Sequence, residues 1–370
     1  MSSMIFLSNM GAEWYFQGME DQVYITIRYI IVRIIALVLL FYIVEDTTDS
    51  LNYAIIVILT VCGSNFFNFF YIFKTINISG IRLEDLNFKR HIKPVLTIFI
   101  ASISINIYLL LDNFLIGSIA GDSYVGYYSV SNKLIRVVIS FIVIIGSVLL
   151  PRLSNLYLTN RLQYYQYLRI TFTIILVISI PFSVVFIAFA KNIIMIIGGT
   201  NFIPSILTMQ ILSPLCIVVG IAYFIGYLVL YPQNKEKIYT KAVLISAVIS
   251  LVLNLFMISK FKQNGAAIVA VLTEILAVLI MIFFAKNEIA KIQLFNFNFI
   301  KIIVSAIIMI IITFIISFFS NLTNLFFFIV AIFLSVLSFL IPLYLLREET
   351  ALFVQKFIFQ IFWKNSSSNK

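Results

Sequence analysis

Long apolar runs separated by short polar stretches pattern the whole chain. Ten of them, at residues 23–44, 51–73, 95–119, 128–150, 170–190, 204–230, 242–258, 266–285, 302–319 and 325–346, have membrane-crossing length. A helix rising about 1.5 Å per residue needs roughly 20 apolar residues to cross the hydrocarbon core. In lipid every backbone amide must be satisfied within its own segment, so runs of this length are predicted to be helices. The fold class expected is therefore all-α, a polytopic membrane bundle. The opening MSSMIFLSNM is too short to cross and reads as the end of a helix. It also lacks the basic start and 7–15-residue apolar run of a signal peptide. In the tail, Leu352, Phe353, Phe357, Ile361 and Phe362 interleave with Gln355, Lys356, Gln360 and Lys364, which predicts a helix lying in the membrane interface.

Composition agrees, with 62% hydrophobic and only 11% charged residues in 370, where a soluble domain would carry about a quarter charged. The net charge of +10 would suggest nucleic acid in a soluble protein, but here it reports orientation. When alternate loops are placed on opposite sides, one side collects the basic clusters at 74–93, 152–169, 235–241, 286–301 and 347–370, and the other keeps Lys191, Lys260 and Lys262. The positive-inside rule makes the crowded side cytoplasmic, with the C-terminus there. The opposite loops, 45–50, 120–127, 191–203, 259–265 and 320–324, are too short to hold an outer catalytic domain. That argues against a membrane polymerase or ligase and for a chain that is not an enzyme. Cys62 and Cys216 have no metal-ligand neighbours, and His91 sits in the basic loop KRHIK. No Gly-rich loop precedes a Lys-Ser or Lys-Thr pair, so neither a metal, a cofactor nor ATP hydrolysis is expected.

The costly residues are the informative ones. Arg28, Arg33, Asp112, Lys133, Arg136 and Glu274 lie inside the spans. Even if Arg28 reaches an interface, the other five would cost on the order of 15 kcal/mol facing lipid, so they are expected to face inward. The spans at 95–119 and 128–150 must run antiparallel, which puts Asp112 about 10 Å and Lys133 about 8 Å below the turn. That depth predicts an Asp112–Lys133 pair, with Arg136 one turn deeper on the same face. Four cations against two acids then suggest a water-filled, net-positive cavity that wants an anion. Glu274, mid-span, is either a proton-coupling group or a structural partner of a buried Arg. Asn65, Asn68, Asn106 and Asn254 read as interhelical hydrogen-bond partners. Pro181 and Pro214, the latter followed by Gly220 and Gly226, predict bent helices.

Several stretches together resemble the Wzx-type polysaccharide flippases, within the superfamily that also holds the lipid II flippases and the multidrug and toxin extruders. They are GAEWYFQGMEDQVYITIRYIIVR (11–33), LDNFLIGSIAGDSYVGYYSVSNKL (111–134) followed by LLPRLSNL (149–156), and GAAIVAVLTE (265–274). The resemblance implies a two-lobed bundle of fourteen helices working by alternating access. It would carry undecaprenyl-pyrophosphate-linked oligosaccharides outward across a bacterial plasma membrane. Glu13, Trp14, Gln17 and Gly18 match the family's Glu-Trp-Tyr-Phe-Gln-Gly stretch, which looks like the end of the fourth helix. On that basis the ten spans are helices five to fourteen, and the chain is expected to be N-terminally shortened. Residues 1–93 would be a remnant of the N-terminal lobe and 94–285 the C-terminal lobe. Residues 286–346 would be the last two spans, and 347–370 a cytoplasmic interfacial tail. Arg28, Arg33, Lys133 and Arg136 become candidate pyrophosphate ligands, and Asp112 and Glu274 candidate coupling acids. The implied partners are the bilayer, a lipid-linked oligosaccharide, a coupling proton or sodium ion and polysaccharide polymerase machinery, without nucleic acid. The alternatives left open are a multidrug extruder of the same superfamily and a non-transporting remnant.

Overall fold

The computed structural model describes residues 3–11, 22–44, 49–75, 92, 111–294, 297–319 and 325–346. Most of the third expected span, the motif residues Glu13, Trp14, Gln17 and Gly18, and the tail 347–370 lie outside the described residues. All regular structure among the described residues is helical, and eight helical stretches are long and apolar enough to cross a membrane. The chain divides into two compact units, Met1–Ile98 and Phe99–Lys370.

In the first unit, α1 (Ser3–Met10), α2 (Gln22–Ile43) and α3 (Ser50–Thr75) pack together. The last carbonyls of a helix have no partner within it. Here the Asn65 Nδ2 group of α3 donates to two of them, Leu7 O at 3.1 Å and Ser8 O at 2.9 Å. Gly11 follows so close to Asn65 that a Cβ there would overlap it. Gly63 admits Val32 of α2, with a Cβ only 3.0 Å from the Val32 methyl, the close approach that small residues allow between membrane helices.

The second unit begins with α4 (111–119) and α5 (Asp122–Thr159). Only Ala120 and Gly121 join them, a much tighter turn than the loop expected at 120–127. Both amides bond to the Ile116 carbonyl, at 2.8 and 3.1 Å. Gly121 sits at φ 106°, ψ 166°, a region essentially closed to other residues. Helix α5 starts before the apolar run and outlasts it through Pro151, because hydropathy marks the lipid boundary and not the helix end. Asn160 alone then separates α5 from α6 (Arg161–Ala188). Its amide bonds to Leu156 O at 2.8 Å, and its side chain accepts from the Gln163 amide at 3.2 Å, closing one helix and capping the next.

After α7 (Ala190–Gly198), the next span is assembled from α8 (Ser205–Leu212), α9 (Leu215–Tyr223) and a π-helical turn (Phe224–Leu230). It breaks at Pro214, the expected site. Gly220 and Gly226 are notches and not bends, one against Ile175 and the other against Tyr239. Helix α10 (Glu236–Phe284) contains two expected spans, for Lys262 at φ 53°, ψ −131° turns the chain back on itself. In a straight helix residues 257 and 265 would be about 12 Å apart. Instead Gly265 abuts the Met257 carbonyl so closely that no Cβ would fit. The Lys262 ammonium lies 4.4 Å from the Tyr124 ring centroid and hydrogen-bonds its hydroxyl.

The short α11 (Lys286–Ile292) is tied to the start of α10 by the Lys235–Glu288 ion pair, which holds the Glu288 carboxyl below the usual carboxylate range. The last two helices, α12 (Phe297–Phe319) and α13 (Leu325–Leu345), belong to the same unit. Phe299 stacks on Phe172 of α6 at 6.4 Å, and Phe328 meets Phe189 edge-on at 5.9 Å.

One hydroxyl secures the π turn. Tyr164 is fully buried; its OH lies 3.3 Å from both the Leu228 and Val229 carbonyls and accepts from Gln233 Nε2 at 3.4 Å. Tyr164→Phe is expected to cost about 1–3 kcal/mol, the penalty of leaving buried polar groups unpaired. A depressed thermal unfolding midpoint in detergent would show this; an unchanged midpoint would mean that the hydroxyl does not hold the turn.

Candidate functional site

A cavity of about 150 Å³ opens inside the second unit, lined by side chains of α4, α5, α9 and both arms of α10. Helix α5 supplies Tyr128, Asn132, Arg136 and Ile139, a spacing of four, four and three that keeps them on one face. The break at Pro214 brings Leu215 and Val219 to the wall, and the reversal at Lys262 returns Thr273 and Glu274 beside Ser250. At roughly 30 Å³ of liquid per water, the space holds a few waters or a hydrated ion. A glycan would not fit.

Asp112 anchors the site. Its Oδ2 accepts from the Tyr128 hydroxyl at 2.9 Å and its Oδ1 from Asn254 Nδ2 at 3.0 Å. The Asn254 amide also reaches Ser250 Oγ at 3.3 Å, while its own Oδ1 is buried with no hydrogen-bond partner. Thr273 donates back to the Val269 carbonyl at 2.8 Å, so its oxygen keeps lone pairs to offer. Arg136 is the cation whose field reaches both Asp112 and Glu274. Neither carboxylate makes an ion pair with it: among the described residues the ion pair formed is Lys235–Glu288. The three charges are thus held apart across open space.

The expected Asp112–Lys133 pair is not made. Depth alone permits it, but residues three apart on a helix differ by about 60° in direction. Arg136 therefore faces the cavity while Lys133 is exposed away from its lining. With Lys133 outside, the cavity holds two acids and one cation, and the positive excess expected for this spot is absent from it. Arg28 and Arg33 lie on α2 of the first unit. Arg28 is buried beside the Tyr24 ring, 5.5 Å from its centroid. Arg33 is exposed, stacks over Tyr29 at 4.3 Å and donates to its hydroxyl at 2.8 Å. Tyr128, Asn132, Ser250 and Thr273 escaped the sequence reading. The polar stripe Tyr128-Asn132-Arg136 on an otherwise apolar span could have revealed the first two.

A family model described as polysaccharide biosynthesis protein matches residues 2–157, and a second, MatE, matches residues 97–257. The putative O-antigen transporter of Escherichia coli (strain K12) is 23% identical over 286 residues, 74% of this chain and 66% of that protein. The one from Shigella dysenteriae is 22% identical over 281 residues, 76% of this chain and 70% of that protein. The structure of the lipid II flippase MurJ in an inward closed conformation superposes with a TM-score of 0.61 at 18% identity, covering 84% of this chain and 65% of that one. The chain is similar to polysaccharide biosynthesis and MatE proteins over residues 2–257, and its fold is that of the solved lipid II flippase. It spans about two thirds of the length of the E. coli relative and of MurJ. Its apolar helices make it a multi-pass membrane protein, and the MatE match, residues 97–257, takes in Asp112, Arg136 and Asn254.

Proposed function

We propose that the protein flips undecaprenyl-pyrophosphate-linked oligosaccharide from the cytoplasmic to the outer face of a bacterial plasma membrane by alternating access, driven by a coupling proton or sodium ion. The observation that carries this reading is a cavity with opposed charges inside a flippase fold. Asp112, Glu274, Ser250 and Thr273 line the cavity with oxygen atoms suited to a proton or a hard cation. Arg136 is the group that meets the pyrophosphate, for a guanidinium grips phosphate oxygens at two points. Arg28, Arg33 and Lys133 are the other cations proposed to bind the headgroup, and the polymerase machinery takes the product.

The charge balance ties the two ligands together. With both acids ionised the cavity carries a net negative charge, which repels pyrophosphate. Neutralising one acid by a proton or cation leaves Arg136 free to attract it. A drug extruder is the second reading, for it too would welcome a cation at this pair of acids. The test is outward transfer of labelled lipid-linked oligosaccharide in vesicles with an imposed proton or sodium gradient. Transfer that stops when the gradient is collapsed supports the proposal, and a rate indifferent to both gradients overturns the coupling.

A further inference from the structure

Below the cavity, the face of α9 that carries Leu215 and Val219 continues at intervals of four through Tyr223, Tyr227 and Tyr231. These rings stack: Tyr223 on Tyr227 at 4.8 Å and 21°, Tyr227 on Tyr231 at 4.8 Å and 12°. Tyr239 of α10 closes the row edge-on, 5.2 Å from Tyr227 and 6.1 Å from Tyr231. The stacking follows from the backbone. In an α-helix residue i+4 overshoots residue i by about 40°, but the wider π turn at Phe224–Leu230 brings it back nearly in line. Two glycines make room, Gly146 under the Tyr223 ring and Gly226 under the Tyr239 ring.

Three features distinguish this ladder from an ordinary interfacial tyrosine belt. Within Phe224–Leu230 every residue except Tyr227 is buried, so the accessible strip of this turn is phenol alone. The exposed faces of α12 and α13 are aliphatic and phenylalanine instead, with the single tyrosine Tyr344 near the end of α13. And the row lies in the crevice between α5, α9 and α10, the helices that also wall the charged cavity.

Because the rings face one another, they present edges outward in steps of 4.8 Å, while the Tyr223 hydroxyl donates to the Val143 carbonyl at 3.3 Å and the Tyr227 hydroxyl bonds those of Tyr231 and Tyr239. Each phenol hydroxyl donates and accepts, as a sugar hydroxyl does, and the ring edges offer apolar contact to the C–H faces of a pyranose. We infer that the Tyr223–Tyr227–Tyr231–Tyr239 ladder is a binding track for the neutral sugar rings of the substrate. It rests on the flippase reading and adds where the glycan is held, one helical turn beyond the charged cavity.

The experiment uses the whole chain in lipid nanodiscs with two probes read by saturation-transfer NMR. One probe is a panel of neutral trisaccharides of glucose, galactose, N-acetylglucosamine and rhamnose; the other is geranyl pyrophosphate, which has headgroup and lipid but no sugar. Tyr227→Phe and Tyr231→Phe keep the ring stack and remove one hydroxyl each. At least one trisaccharide should bind the parent protein, and each Phe variant should weaken it about threefold to tenfold, the worth of one hydrogen bond. Geranyl pyrophosphate binding should not change. If no trisaccharide binds the parent, or the variants bind it equally well, the track is wrong even though geranyl pyrophosphate binds. Trisaccharide binding without geranyl pyrophosphate binding would leave the track standing and overturn the pyrophosphate reading, and failure of both probes overturns both.

Discussion

Asp112→Asn is expected to cut gradient-driven transfer of lipid-linked oligosaccharide about a hundredfold or more while leaving the unfolding midpoint in detergent unchanged. The asparagine has the same shape. Its Oδ1 can accept from Asn254, and its amide can donate to the Tyr128 hydroxyl, which reverses its role, so the two hydrogen bonds at 3.0 and 2.9 Å survive in altered polarity. Only the charge is lost. A charge and an ion about 4 Å apart interact by roughly 4 kcal/mol at an effective dielectric near 20, and every 1.4 kcal/mol is about tenfold. The companion variant Asn254→Ala keeps the charge but removes the amide that donates to both Asp112 and Ser250, and a smaller loss is expected. If Asp112→Asn transfers at the parent rate under an imposed gradient, the carboxylate is structural and the coupling ion binds elsewhere.

What could be read from the sequence follows what the bilayer enforces. The spans at 23–44 and 51–73 appear as α2 and α3 with little change, since uninterrupted apolar length leaves a chain no alternative to a helix in lipid. The spans at 242–258 and 266–285 were legible for the same reason, although the polar turn between them stays helical on either side of Lys262. Insertion cost singled out Asp112, Arg136 and Glu274 one by one, and the fold gathers all three around one cavity.

Azimuth around a helix was harder to read than depth within the membrane. Lys133 and Arg136 were assigned one face from a spacing of three, and the remaining 60° sends one into the cavity and the other out of it. Tyr128 opens its apolar run, and the two-residue turn at Ala120-Gly121 brings its hydroxyl to Asp112. The tyrosine ladder left no trace in the pattern at all, for it depends on a π turn, and hydropathy at α-helical period does not encode one.

Arg136 carries the second large effect, and its sign separates two roles. If the guanidinium meets the pyrophosphate, Arg136→Ala should weaken geranyl pyrophosphate binding in nanodiscs by about thirtyfold to a hundredfold, within the 1.5–3 kcal/mol usual for a hydrogen bond to a charged group. Arg136→Lys should recover part of that, keeping the charge without the planar fork. Glu274→Gln, which removes one of the two acids whose charge faces Arg136, should tighten binding by several-fold, because the headgroup then meets one negative charge fewer. The double variant Arg136→Ala with Glu274→Gln decides the matter. Were Arg136 only a counter-ion that keeps the acids tolerable inside the bundle, removing Glu274 would relieve the strain left by Arg136→Ala, and the double variant would bind and transfer better than the single one by a large, favourable coupling. If Arg136 is instead the ligand, deleting the acid cannot supply the missing donors, and the double variant should stay within a few-fold of Arg136→Ala. Full recovery in the double variant would move the pyrophosphate site off Arg136 and leave Arg33 and Lys133 to hold it.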